Sequence, residues 1–154
     1  MTHARLATAS LAALAVLGVT STAGCSGGSG GSGDGGVTAV AAASAPAAGS
    51  ELDAAAFASA LKRPGTIILD VRTPEEFAAG HLAGAVNVDV NGADFLGALA
   101  GYDKTVPYAV YCRSGNRSGT AVSLMAGAGF TAAYHLGGGI GAWQDAGGEV
   151  VTGA

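Results

Sequence analysis

Charge is scarce in this 154-residue chain: 12% of its residues are Asp, Glu, Lys or Arg, and the 7 basic residues are outnumbered by 11 acidic ones. A formal net charge of -4 leaves no basic field to attract phosphate backbones, which excludes nucleic acid as an expected partner. Cysteine is scarcer still, with Cys25 and Cys112 the only 2. His3 and His135 stand at no metal-ligand spacing from Cys112, so neither a metal nor any other cofactor is expected. The chain also lacks internal repeats. Its most continuous apolar stretch, residues 6–19, is too short for an ordinary membrane-spanning helix.

What is present divides the chain into three. Arg5, the apolar residues 6–19 and the small residues 21–24 form the pattern of an export signal. Thr22-Ala23-Gly24-Cys25 resembles the bacterial lipobox, with Thr22 where an aliphatic residue is usual. The resemblance implies removal of residues 1–24 and lipid on Cys25, hence a membrane lipoprotein with its domain on the outer side. Residues 26–36 are almost wholly Gly and Ser and bury nothing, so residues 25–49 read as a flexible tether, spanning roughly 25 to 30 Å as a random coil. With Cys25 assigned to lipid, Cys112 has no intramolecular partner. An unpaired thiol in an exported protein is open to oxidation, so its presence needs a chemical reason.

From about Ser50 to residue 154, helical patterns alternate with short apolar runs. Leu52, Ala55, Ala56, Phe57, Ala60 and Leu61 sit at helical spacing around an Asp53 cap, and Pro64-Gly65 stops them. Residues 66–70 are a β-branched run suited to a strand buried on both faces. Thr73 as cap, Pro74 at the first helical position and Glu75 and Glu76 in the first turn predict a short helix ending at Gly80. Residues 85–90 predict a strand, 93–99 a short helix, 106–111 a strand ending at Cys112, 118–128 a helix ended by Gly129, and 132–136 the last strand. Gly137, Gly138 and Gly139 then turn the chain into a segment holding Trp143, expected as a core or pocket-wall aromatic. This alternation predicts an α/β fold, an open parallel sheet with helices on both faces.

The chemistry concentrates at Cys112-Arg113-Ser114-Gly115-Asn116-Arg117-Ser118, a loop between a strand and a helix. The C-terminal ends of strands in open α/β sheets face the ligand crevice. A helix N-terminus offers free N–H groups and a dipole that favour negative charge. With Arg113 and Arg117 adding full charges, the Cys112 thiol is expected to ionise near or below neutrality and act as a nucleophile. Ser114 and Gly115 let loop amides approach a bound oxyanion closely.

Several separated segments resemble the rhodanese family in order. They are residues 69–77 (Leu69-Asp70-Val71-Arg72-Thr73-Pro74-Glu75-Glu76-Phe77) with Gly80-His81-Leu82-Ala83-Gly84-Ala85, the loop 112–118, and Leu136-Gly137-Gly138 with Trp143. The resemblance covers about residues 50 to 151. It implies a single-domain sulfurtransferase in which Cys112 takes sulfur from thiosulfate or a similar anionic donor, stores it as a persulfide, and passes it to cyanide or a thiol. It assigns residues 113–118 to donor binding and Asp70, Arg72 and His81 to supporting the loops, since an already ionised thiol needs no general base. Arg113 directly after the nucleophile favours an inorganic donor over mercaptopyruvate. Members with phosphatase activity carry a loop one residue longer, and the four residues between Cys112 and Arg117 favour sulfur transfer over a phosphatase or arsenate reductase. The remaining alternative is a non-enzymatic binding or redox-signalling module, against which the retained cysteine speaks.

Overall fold

A computed structural model describes residues 45–153 of the chain. The signal expected over 1–24, Cys25 and the tether as far as residue 44 lie outside the described residues.

Five strands form one sheet in the order β1-β5-β4-β2-β3: β1 is Glu51–Leu52, β2 Ile67–Asp70, β3 Val86–Asn87, β4 Tyr108–Tyr111 and β5 Ala133–Leu136. Every pairing is parallel, as the alternating pattern predicts. The helices between them are α1 (Ala54–Leu61), α2 (Pro74–Ala79), α3 (Phe95–Ala98), α4 (Asn116–Gly127) and α5 (Gly139–Asp145). Strand alternation sorts the core into two layers. Leu69, Val71, Tyr108, Val110 and Cys112 pack with Phe95 of α3 and with Ala121, Val122 and Met125 of α4. On the other face Ala109, Tyr111, Tyr134 and Leu136 pack with Phe57 and Ala60 of α1 and Ile140 of α5. Trp143 leans on that second layer, edge-on to Phe57 with centroids 6.2 Å apart. Helices therefore cover both faces.

Local chemistry places the helix starts. The Asp53 carboxylate accepts from the Ala56 amide at 2.7 Å, capping α1. Thr73 and Glu76 form a reciprocal capping box with Pro74 at the first position of α2, and Gly80 closes that helix. Three expectations are corrected. Leu52 belongs to a strand and not to the first helix: its carbonyl accepts from Gly137 at 2.8 Å, and Ser50's carbonyl accepts from His135 at 2.9 Å, so pairing with β5 overrides the helical spacing. The strand expected over 85–90 is regular only at 86–87, although the amides of Val88 and Val90 still reach the carbonyls of Asp70 and Val71. The helix expected from Ser118 begins two residues earlier, at Asn116, which brings Arg117 and Ser118 into its first turn.

Register then places the site. Asp70 is opposite Tyr111, so the residues after β2 and those after β4 emerge side by side at one end of the sheet. The Val71 amide donates to the Tyr111 carbonyl at 3.0 Å and extends this alignment to the first residue of the loop.

Candidate active site

Cys112 follows β4 directly, and its thiol is buried beneath the loop that leads into α4. The loop closes because Gly115, the N-cap of α4, adopts φ +96°, a conformation L side chains rarely adopt. That turn aims the Gly115 amide at the Cys112 sulfur, 3.1 Å away. Burial raises the thiol pKa. Hydrogen bonds from the Ser118 hydroxyl and from the amides of Ser118, Ser114 and Gly115 outweigh it, so the pKa lies below its ordinary value. The Ser118 hydroxyl donates to the Gly115 carbonyl at 2.9 Å, tying the first turn of α4 to the loop.

The arginines act differently from the expectation that both flank the thiol as free charges. Arg113 is exposed and makes no hydrogen bond or ion pair among the described residues. Arg117 is engaged by Glu76 of α2, with Nη1 2.7 Å from Oε2 and Nη2 2.9 Å from Oε1, a bidentate pair about a quarter exposed. Its interaction with the Cys112 charge comes after this commitment to Glu76. The thiolate is thus favoured chiefly by directed hydrogen bonds. Ser114 and Asn116 are exposed at the rim, and their side chains make no hydrogen bond among the described residues.

Glu76 consequently serves twice, as cap of α2 and as clasp on α4. The Arg117 hydrogen bonds hold its carboxyl well below the ordinary 4.5, at about 2. A depressed carboxyl pKa adds stability that is present above the unfolded value and lost as pH falls through the folded one. Glu76→Gln should therefore cost about 1–2 kcal/mol at pH 7, after allowance for solvent screening of a partly exposed pair. The gap between wild type and variant should narrow below about pH 4.5 and vanish near pH 2, as read by urea unfolding across that range. A gap independent of pH would contradict the clasp.

Asp70, Arg72 and His81 form a framework beside the loop, and none of them hydrogen-bonds to Cys112. Asp70 is fully buried, with its carboxylate gripped by Arg72 Nε at 2.9 and 3.0 Å. Arg72 Nη2 also reaches the Gly80 carbonyl at 2.7 Å, and the guanidinium lies 5.6 Å from the centre of the Tyr111 ring. Tyr111 accepts from the Leu82 amide at 3.1 Å, and burial raises its own pKa, keeping the phenol neutral. His81 stacks on Phe77 at 3.7 Å and shares Nδ1 with the Phe77 carbonyl at 3.0 Å. Its backbone pairs with Val151. Among the described residues no three His, Cys, Asp or Glu side chains come together as a metal site.

Three contacts escape sequence reasoning: Glu76 on Arg117, His135 beside Ser118 at 3.4 Å, and α5 against the loop, where the Ile140 amide donates to the Cys112 carbonyl at 2.8 Å. The one available signal was the position of Glu76, which a cap already explained.

A parallel α/β sheet with a buried, hydrogen-bonded cysteine at the mouth of a helix defines the class, and residues 53–146 match the Rhodanese-like domain family. The chain belongs to that family. It is 40% identical over 88 residues to the thiosulfate sulfurtransferase GlpE of Pseudomonas fluorescens (strain SBW25), covering 56% of this chain and 78% of that protein. The GlpE of Pseudomonas entomophila (strain L48) is 36% identical over 88 residues, with the same coverage. Among solved structures, the rhodanese-like domain of an Anabaena protein superposes with a TM-score of 0.60 at 30% identity, covering 66% of this chain and 78% of that one. The thiosulfate sulfurtransferase from Pseudomonas aeruginosa gives 0.57 at 27% identity, covering 68% of this chain and 19% of that one.

Proposed function

We propose that the chain is a rhodanese-type sulfurtransferase in which Cys112 takes a sulfane sulfur from thiosulfate or a related anion. The observation that carries this reading is a buried thiol whose pKa is nonetheless lowered by hydrogen bonds converging on its sulfur. The donor sits over the N-terminus of α4, where the backbone dipole and the exposed Arg113 favour its charge. The thiolate attacks the outer sulfur, a new S–S bond forms, the donor's S–S bond breaks, and sulfite leaves with the electron pair. The same amides that hold the thiolate lie beside the terminal sulfur of the resulting persulfide anion. Cyanide or a thiolate then attacks that terminal sulfur, the Cys112–S bond breaks, and the Cys112 thiolate returns. No proton transfer is needed in either step, which agrees with the structural use of Asp70, Arg72 and His81.

Incubating the protein with thiosulfate should add the mass of one sulfur to the Cys112 peptide, and subsequent cyanide should remove it as thiocyanate. A peptide without the added sulfur, together with no thiocyanate, would sink the proposal. On the same footing we read residues 1–24 and Cys25 as export followed by lipid anchoring, which holds the domain on the outer side of the cell membrane.

A further inference from the structure

Every pairing in the sheet is parallel, so the strands begin at one end of the domain and finish at the other, where Cys112 follows β4. The segments that enter the strands are gathered at the starting end. There the Ile67 amide donates to the Pro107 carbonyl at 2.9 Å and the Tyr108 amide to the Ala132 carbonyl at 2.9 Å. Gly49, close to the first described residue, joins them through the Ala133 carbonyl at 2.7 Å. The described chain therefore begins at the end opposite the thiol.

The scarce positive charge is divided unevenly between these two ends. Lys62, the C-cap of α1, stands at the starting end with Arg63 beside it and Lys104 in the segment entering β4. Lys62 and Lys104 are exposed and are the only lysines of the chain. Lys104 is fixed in place, with Nζ donating to the Ala128 carbonyl at 2.8 Å and lying 5.7 Å from the centre of the Phe130 ring, contacts that hold the ammonium without neutralising it. Among the residues entering β2, β4 and β5, which are 62–66, 100–107 and 128–132, Asp103 carries the single carboxylate. It is turned onto the Thr105 amide and hydroxyl at 2.8 and 2.7 Å. At the thiol end the balance is reversed. Asp53, Glu75 and Asp89 follow β1, β2 and β3, and Asp145 and Glu149 lie at and beyond the end of α5, which reaches the first turn of α1. Arg72 is buried on Asp70 and Arg117 is held by Glu76, which leaves Arg113 as the exposed cation there.

We propose that the end carrying Lys62, Arg63 and Lys104 is a docking surface for an anionic bilayer, and that it holds the anchored domain with Cys112 facing away from the membrane. This rests on the anchoring through Cys25 read above. The net charge of -4 does not oppose it, because orientation depends on how charge is divided and not on its sum. An anionic surface repels the acidic end and attracts the lysines opposite. The attraction reaches only about a Debye length, roughly 8 Å, so it acts on a domain already brought close. The lipid supplies that proximity and the charged face supplies the direction. Small donors and acceptors then reach the thiol from the side open to solvent.

The test is energy transfer from tryptophan to dansyl-labelled lipid. The full chain in a Cys112→Ser background, which leaves Cys25 as its only thiol, is coupled through Cys25 to a maleimide lipid in vesicles. Trp143, the sole tryptophan, reports from α5. Gly101→Trp in a Trp143→Phe background reports from the segment holding Lys104, at a position where a Cβ meets no atom within 4 Å. When phosphatidylglycerol is added to phosphatidylcholine vesicles, transfer from the Gly101→Trp reporter should rise about twofold and transfer from Trp143 should fall. Both changes should vanish in about 1 M salt, and when Lys62→Gln and Lys104→Gln are combined. Unchanged transfer on anionic vesicles would overturn the proposal, as would equal rises at both reporters or a response that survives salt and loss of the lysines. The Trp143 reading needs no new side chain on this face, so it decides the matter even if Gly101→Trp misfolds. Because the coupling is chemical, the result is independent of lipidation in the cell. The intact mass of the chain extracted from cell membranes tests that separately, and an unmodified Cys25 would refute the anchoring while the vesicle result still judges the surface.

Discussion

Gly139→Ala should lower kcat/KM for sulfur transfer by about 100-fold, although the residue touches neither substrate nor sulfur. Gly139 opens α5 at φ +62°, where an L side chain is strained. A Cβ there would lie 2.5 Å from the carbonyl carbon and 2.6 Å from the carbonyl oxygen of Arg113, and closer still to the Cys112 carbonyl oxygen. All three are backbone atoms, so no rotamer change relieves the contact. The peptide following Cys112 has to move, and it is tied to α5 by the Ile140 amide at 2.8 Å. Displacing it turns the sulfur away from the amides of Ser114 and Gly115, and a misplacement near 1 Å is enough for the stated loss. Gly141→Ala is the matched control. It lies two residues further along the same helix without a positive φ, and its nearest foreign atom would be the Arg113 oxygen at 4.0 Å. Its activity should stay within about twofold and its stability rise by about 0.5–1 kcal/mol, the usual gain from alanine in a helix. Thiocyanate production by the two variants, measured alongside urea unfolding, decides the matter. If Gly139→Ala retains more than about a third of wild-type kcat/KM, the contact between α5 and the loop does not set the position of the nucleophile.

This dependence on α5 shows where the sequence stops being readable. The glycine run 137–139 is visible as a turn, and Cys112 with its helix N-terminus is visible as a reactive loop, because both depend on neighbours in the chain. That Gly139 meets the peptide after Cys112 depends on β4 and β5 being adjacent, which no local pattern encodes. The same limit explains β1, two residues whose helical spacing is real but whose hydrogen bonds go to β5. Glu76 shows a different failure. Its place three residues after the Thr73 cap fully accounts for a glutamate, and this hid its pairing with Arg117 across the loop. Arg113 and Arg117 look equivalent beside the cysteine. The early start of α4 separates them, leaving one exposed and the other paired. His135 looks like an ordinary strand residue until the pleat of β5 puts it on the face that carries Ser118 and Gly119.

The framework beneath the loop should be the most sensitive part of the molecule to single substitution. Asp70 is fully buried and Arg72 is 5% exposed, and each satisfies the other: the carboxylate takes both Nε contacts and the Arg72 amide at 2.9 Å, while Nη2 continues to the Gly80 carbonyl. Two charges brought into a dry interior bring little net stability as a pair, since desolvation offsets their attraction, but removing one partner strands the other. Asp70→Ala should therefore cost about 3–5 kcal/mol, a large part of the margin of a small domain. The cost reflects a guanidinium left buried beside the neutral Tyr111 ring, with only the Gly80 carbonyl as acceptor among its described hydrogen bonds. Asp70→Leu combined with Arg72→Met should recover most of that loss, because the pair vanishes together and apolar volume replaces it. Activity should divide differently from stability. Asp70 and Arg72 make no hydrogen bond to Cys112, so the folded fraction of each variant, assayed at low temperature, should keep kcat within a few-fold of wild type, with the loss appearing in the urea midpoint. A double variant as unstable as Asp70→Ala would show that Arg72 is needed for its reach to Gly80, which holds the end of α2, and not for balancing a buried charge.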